Sequence, residues 1–229
     1  MSQVATVDSC PVYSLSLPKG CGATHSVLFR ADLDIDVDGS PRAYGPGNMG
    51  EDYTANAGRP GNWWGVVTGK DGKPIVQGAN DPAPGCYVST TSLQDSDQPR
   101  TSPRRYVNAD EIPFIVLPAG RFADWGIRMG DLAWVQKIQE GMPVAACAAI
   151  FADAGPRDKM GEGSPALAEA LSINPDPRRG GTSTRCVQYF VFAGSGTGCP
   201  MSAQEIDRRV RAMLPALRSL GGFATPIKG

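Results

Sequence analysis

"RADLDIDVDG" occupies residues 30–39 and sets a carboxylate at every second position, Asp32, Asp34, Asp36 and Asp38. In an extended strand these four share one face, while Ala31, Leu33, Ile35 and Val37 take the other. Period-two alternation is the signature of a strand with one buried face. Asp is nevertheless poor in strands, and like charges this close repel. A solvent face normally mixes in Lys, Thr and Glu, so four aspartates in a row point to a task. Calcium is the first to test. Asp34, Asp36, Asp38 and Gly39 fit positions 1, 3, 5 and 6 of an EF-hand loop. The twelfth position, which needs a bidentate Glu, is Gly45, and the ninth is Arg42, so the EF-hand fails. A looser oxygen-ligand site is the lesser alternative, and no metal is assigned.

Around this stretch the chain reads as mainly β. Its 229 residues suffice for one sizeable domain. Gly (28) and Pro (20) make up about a fifth of it, which suits a loop-rich β architecture better than a helical bundle. Twenty-two basic and 23 acidic residues leave a net charge of -1, so no field draws it to nucleic acid or an anionic membrane. No apolar run is long enough for a transmembrane helix. The first twenty residues carry neither a basic nor an apolar export signal. Six cysteines (10, 21, 86, 147, 186, 199) in a loop-rich chain suit disulfides, with buried free thiols as the alternative; fifteen pairings are possible. None sits at zinc-site spacing. His25 is the only histidine, which disfavours a Ser-His-Asp or Cys-His triad and predicts a structural or surface role.

Outward from 30–39, residues 1 to about 25 read as an irregular leader with one strand, "PVYSLSL" (11–17). "WWGVVTGKDGKPIV" (63–76) reads as a hairpin turning at Lys70-Asp71-Gly72, and "CYVSTTSL" (86–93) as a further strand. "IPFIVLP" (112–118), "GDLAWVQ" (130–136), "MPVAACAAIFAD" (142–153) and "TRCVQYFVFAG" (184–194) complete the strand set. Two helices are expected. One starts with Ser164 as N-cap and Pro165 at its first position. The other opens with a Ser202–Glu205 capping box and carries Ile206, Val210, Met213 and Leu214 on one face.

A second carboxylate group follows from "AIFADAGPRDKMGEGSPALAEAL" (149–171). A strand delivers Asp153 to a turn, and a Gly-rich loop presents Glu162 just ahead of the Ser164-capped helix. Such a pair suits general acid and base work; a turn-capping Asp153 and a Glu162 beside a helix dipole are the bland alternative.

Five blocks taken in order, "DLDIDVDG", "YVSTTSL", "RRYVNADEIPFIVLP", "AIFADAGPRDKMGEGSPALAEALSI" and "VFAGSG", resemble glycoside hydrolase family 75, the endo-chitosanases. They span about residues 29–196. The resemblance implies a single-domain six-stranded barrel of double-psi type with loop decorations (29–229), preceded by an N-terminal extension packed on it (1–28). It places the catalytic carboxylates at Asp153 and Glu162, and implies endo-hydrolysis of β-1,4-linked glucosamine polymer with inversion, without a cofactor. It further implies a secreted enzyme, although this sequence shows no signal peptide. Glu162 is expected as the acid, with Asp153 activating water or a strand Asp serving as base.

The partner expected on that basis is a cationic amino-sugar polysaccharide, bound by a monomer through Asp34, Asp36 and Asp38, with no nucleic-acid or membrane partner. Sugar-stacking platforms could come from Tyr44, Trp63, Trp64 or Tyr106, each otherwise a core residue. Two other readings stand beside this one. A cell-wall hydrolase would cut peptidoglycan glycan strands, and a carbohydrate-binding module would have no catalysis.

Overall fold

The computed structural model describes residues 1–219. Its strands are β1 (Ser2–Val7), β2 (Cys10–Ser16), β3 (His25–Ile35), β4 (Gly58–Arg59), β5 (Asn62–Trp63), β6 (Phe114–Pro118), β7 (Leu132–Gln139), β8 (Met142–Gly155), β9 (Glu162–Gly163) and β10 (Thr182–Phe192). Two α-helices join them, α1 (Pro165–Ala170) and α2 (Ala203–Ser219).

Six strands close a barrel in the order β3-β10-β7-β8-β6-β9, with β9 pairing back onto β3. The expected mainly-β, six-stranded barrel is therefore present. Its closure depends on β9, two residues long, which a sequence reading takes for a Gly-rich loop. Glu162 and Gly163 pair in parallel with Asp34 and Ile35 on one side, and antiparallel with Val116 and Ile115 on the other. Closing the sheet removes free edges at this end.

Both faces of the barrel strands are buried. One cluster holds Phe29, Leu33, Ile115, Phe151 and Tyr189, covered by α1 through Leu167, Ala168 and Leu171. The other holds Phe114, Val116, Ile150, Phe190 and Phe192 under Ile206, Val210, Met213, Leu214 and Leu217 of α2. Fully burying a side chain of this size contributes about 1.5–3 kcal/mol. The helix starts follow the sequence signals: Ser164 Oγ accepts from Leu167 N at 3.1 Å, and Ser202 Oγ from Glu205 N at 3.3 Å. Glu205 turns its own carboxylate to Arg208 and Arg209 instead of back to the cap.

The leader is more ordered than its composition suggests. β1 and β2 form a hairpin whose turn residues, Asp8 and Ser9, both take positive φ, and β2 continues the sheet on β3 from Tyr13↔Leu28 to Ser16↔His25. The segments 63–76 and 86–93 are less regular than expected. They meet in isolated bridges, Val66↔Ser89, Thr68↔Pro74 and Val76↔Tyr87, because Pro74 and closely spaced glycines interrupt the ladder.

The cystine expectation is overturned. All six cysteines are free thiols, held on separate elements: Cys10 on β2, Cys147 on β8, Cys186 on β10, and Cys21, Cys86 and Cys199 in loops. An even count does not bring thiols within the 4.4–6.8 Å Cα separation that a disulfide requires. His25 is structural. Its Nε2 donates to the Trp125 carbonyl at 2.8 Å, and Nδ1 lies 3.1 Å from Thr24 Oγ1. No described helix is long and apolar enough to cross a membrane.

Candidate active site

The register of the barrel lines up the acidic residues. Val116 on β6 pairs with Asp153 on β8 and with Glu162 on β9, and Glu162 pairs with Asp34 on β3. Directly paired residues point to the same face of a sheet. Asp153, Val116, Glu162 and Asp34 thus form a row across four neighbouring strands. Asp153 and Glu162 stand two strand spacings apart, roughly 9.5 Å between Cα positions.

This row lies in a cleft of about 720 Å³, which also takes in Asp36, Asp38, Asp52, Tyr44 and Trp64. Six residues singled out in the sequence meet here: Asp34, Asp36, Asp38, Tyr44, Asp153 and Glu162. Asp32 does not line the cleft. It lies under Gly161, where a Cβ would come within 2.3 Å of its Oδ1. The alternation also stops short, because β3 ends at Ile35. Asp36 N donates instead to Gly163 O (2.9 Å), and Asp38 N to Asp36 Oδ1 (2.9 Å). Gly39, at φ 85°, then turns the chain against Val107 O, where no side chain fits.

Each carboxylate has its own surroundings. Asp153 is buried, and its Oδ1 accepts from Ser92 Oγ (2.5 Å), Ser92 N (3.1 Å) and Ala154 N (2.7 Å). Burial raises its carboxyl above the usual aspartate range; these hydrogen bonds pull it part of the way back, and the Glu162 charge pushes it up again. Asp36 is raised well above that range by burial and then by the charges of Asp153 and Glu162. Asp38 is raised likewise by burial and then by Asp36 and Asp153, although Tyr44 Oη donates to its Oδ1 at 2.7 Å. Tyr44, pushed far up by burial and by these aspartates, stays a neutral donor.

Glu162 and Asp34 are paired with a cation instead. Lys159 Nζ lies 2.7 Å from Glu162 Oε1 and 2.9 Å from Asp34 Oδ2. Asp34 therefore meets an internal ammonium before any ligand arrives. Lys159, Ser92, Asp52 and the wall residues Arg178 and Arg179 were not singled out in the sequence. Lys159 sits inside the quoted acidic block, three residues before Glu162, and that i, i+3 spacing was the one available signal.

The aromatic candidates divide. Trp64 is 60% exposed at the cleft, with its Nε1 donating to Asn56 O (3.0 Å), and offers a free ring face. Tyr44 is buried and contributes its hydroxyl, not its face. Trp63 packs edge-on against Tyr87, and Tyr106 is buried away from the cleft, donating to Arg100 O (2.9 Å).

Gly155 gives the cleft a sharp steric test. A Cβ there would come within 2.3 Å of Glu162 Oε2 and 3.0 Å of Val116 Cγ1. Gly155→Ala is expected to displace the Glu162 carboxyl while the barrel, measured by its thermal midpoint, stays near wild type. A misplacement of about 1 Å typically costs on the order of 10²-fold in turnover. An unchanged kcat would show that the Glu162 position is not critical.

Among the described residues, no group of three or more His, Cys, Asp or Glu side chains is arranged to hold a metal ion. No protein-family model and no curated protein matches the chain.

Proposed function

We propose that the chain is an endo-acting glycoside hydrolase that cuts a β-1,4-linked glucosamine polymer with inversion, through Asp153 and Glu162. The observation that carries this is the row of Asp153 and Glu162 two strands apart, on one cleft floor, in unlike surroundings. Inverting glycosidases hold their carboxyl groups about 6.5–9.5 Å apart, leaving room for a water. Two Cα positions roughly 9.5 Å apart can meet that range.

The surroundings favour a division of roles opposite to the first expectation. Asp153 has one oxygen taken by three donors and a carboxyl raised by burial, which suits its free oxygen to the role of the acid. It delivers that proton to the departing glycosidic oxygen. Glu162, held beside the Lys159 ammonium, is the base: it takes a proton from the water that attacks the anomeric carbon from the opposite face. Asp36, Asp38 and Asp52 offer acceptors to sugar ammonium and hydroxyl groups, and Trp64 offers a stacking face.

A second reading is a peptidoglycan-cutting enzyme. It is favoured by Arg178 and Arg179, exposed on the cleft wall, which suit the carboxylates of a peptide-bearing glycan. The test is digestion of fully deacetylated chitosan and of purified peptidoglycan in parallel, with proton NMR of the fresh products. Short α-anomeric glucosamine oligomers, absent with Glu162→Gln, are the expected result. Muropeptides alone would keep the carboxylate pair and change the substrate. No product from either polymer would overturn the hydrolase reading.

A further inference from the structure

Among the described residues Lys159 is the one cation in direct contact with the acidic row, and its backbone is firmly held. The loop leaves β8 at Gly155 and re-enters the barrel at Glu162. Between them Met160 is buried against the core that contains Phe151, and Gly161 sits at φ 81°. A Cβ on Gly161 would come within 2.7 Å of the Asp32 carbonyl oxygen, and Gly161 O accepts from Asp34 N at 2.7 Å. The two residues separating Lys159 from Glu162 are thus locked, one by the core and one by β3. The lysine side chain is 38% exposed and that of Glu162 only 16%. This differs from an exposed surface ion pair, which fluctuates and contributes little.

We infer that Lys159 is a positioning residue of this cleft: its ammonium holds the Glu162 carboxylate aimed into the cleft, and Asp34 anchors the ammonium from the other side. The inference rests on the reading of Glu162 as the base. The other charges facing that carboxylate are mostly of its own sign. Asp34 on β3, Asp36 and Asp38 just beyond it, and Asp153 on β8 share the cleft, with Asp52 on its wall; Arg178 and Arg179 are the wall's cations. Without a cation in contact, a carboxylate in this company is pushed away by its neighbours and loses its aim. Burial works against the Lys159 charge, but its hydrogen bonds to Glu162 and Asp34 outweigh that and hold it above the ordinary lysine value. The lysine thus stays charged wherever the enzyme works.

Two measurements decide the matter. The first needs no substrate. Amine acylation at pH 9, followed residue by residue by mass spectrometry, compares Lys159 with the exposed Lys70. The unprotonated fraction falls tenfold for each unit by which an amine is raised, so Lys159 is expected to react at least about tenfold more slowly, and to speed up in Glu162→Gln. Equal rates for Lys159 and Lys70 in the wild-type chain would overturn the inference whatever the substrate proves to be. The second is the pH profile of kcat for Lys159→Met and Lys159→Arg. Loss of an opposite charge in contact disfavours the charged form of a carboxyl, so the acidic limb is expected to move up in Lys159→Met. Lys159→Arg, which keeps the charge, is expected to restore most of the wild-type profile; a purely structural lysine would leave the limb unmoved in both. Should the wild-type chain release no sugar from any glucosamine polymer, the hydrolase reading fails, and the acylation rates still decide whether the pair exists.

Discussion

Asp153→Asn is expected to lower kcat on fully deacetylated chitosan by about 10²–10⁴-fold, the usual cost of losing a general acid or base. The loss should depend on the leaving group. An acid is needed only where the departing oxygen is basic, so an aryl glycoside with a strongly acidic phenol should recover most of the lost rate in Asp153→Asn. Glu162→Gln should lose as much on the polymer and recover nothing on the aryl glycoside, because a water must still be deprotonated. Added azide, which needs no deprotonation, should restore turnover to a Glu162→Ala variant and yield the inverted glycosyl azide. If the aryl substrate rescued Glu162→Gln and not Asp153→Asn, the roles proposed for the two residues would be exchanged. The pair of variants separates acid from base in a way that loss of activity alone cannot.

The second large effect is on stability. Asp36, Asp38 and Asp153 are all raised on folding, chiefly by burial and then by one another's charges. A carboxyl raised by folding holds its proton more tightly in the folded chain than in the unfolded one. Its contribution is therefore complete below the unfolded value, about 3.9, and is lost as pH rises through the elevated folded value. The melting temperature should accordingly be higher at pH 5 than at pH 8. Asp32, raised by burial and by Asp34, adds in the same direction. Glu205, held down to about 2 by Arg208 and Arg209, weighs the other way only below its own unfolded value and so does not disturb this window. Asp36→Asn removes one charge from the cluster while keeping an acceptor for Asp38 N. It should raise the melting temperature at pH 8 above that of the unmutated chain and flatten the slope between pH 5 and 8. A flat profile in the unmutated chain would mean that the three carboxyls bind protons no more tightly folded than unfolded. Such a gain in stability alongside lost turnover is the pattern expected where a site holds groups in an unfavourable arrangement for function.

Much of this architecture was legible before any tertiary information. The strands that build the barrel wall announce themselves as apolar or alternating runs, because each must bury a face. Ser164-Pro165 and Ser202 mark both helix starts through backbone amides that need acceptors. The carboxylates were legible as well: alternation in "DLDIDVDG" and a Gly-rich turn around Glu162 are costly arrangements, and a costly arrangement calls for an explanation. The misses have equally local causes. Asp8-Ser9 is a weak turn signal, so the sequence alone reads the first hairpin as a leader with one strand. Pro74 and its neighbouring glycines reduce the expected hairpin at 63–76 and strand at 86–93 to single bridges.

What the sequence determined by itself, then, is the material of the site: which residues are acidic, which segments extend, and where the helices begin, all set by interactions within a few positions along the chain. The tertiary structure decided how that material is used. It closed the barrel through two residues at Glu162–Gly163 and set Val116 between Asp153 and Glu162. It also removed Asp32 from the row and brought Lys159 against Asp34. Proton affinities follow the same rule, because they depend on burial and on charges carried by other strands; Asp36 feels Asp153 across the cleft. Strand register and through-space charge join residues far apart in the chain, and no local pattern encodes them.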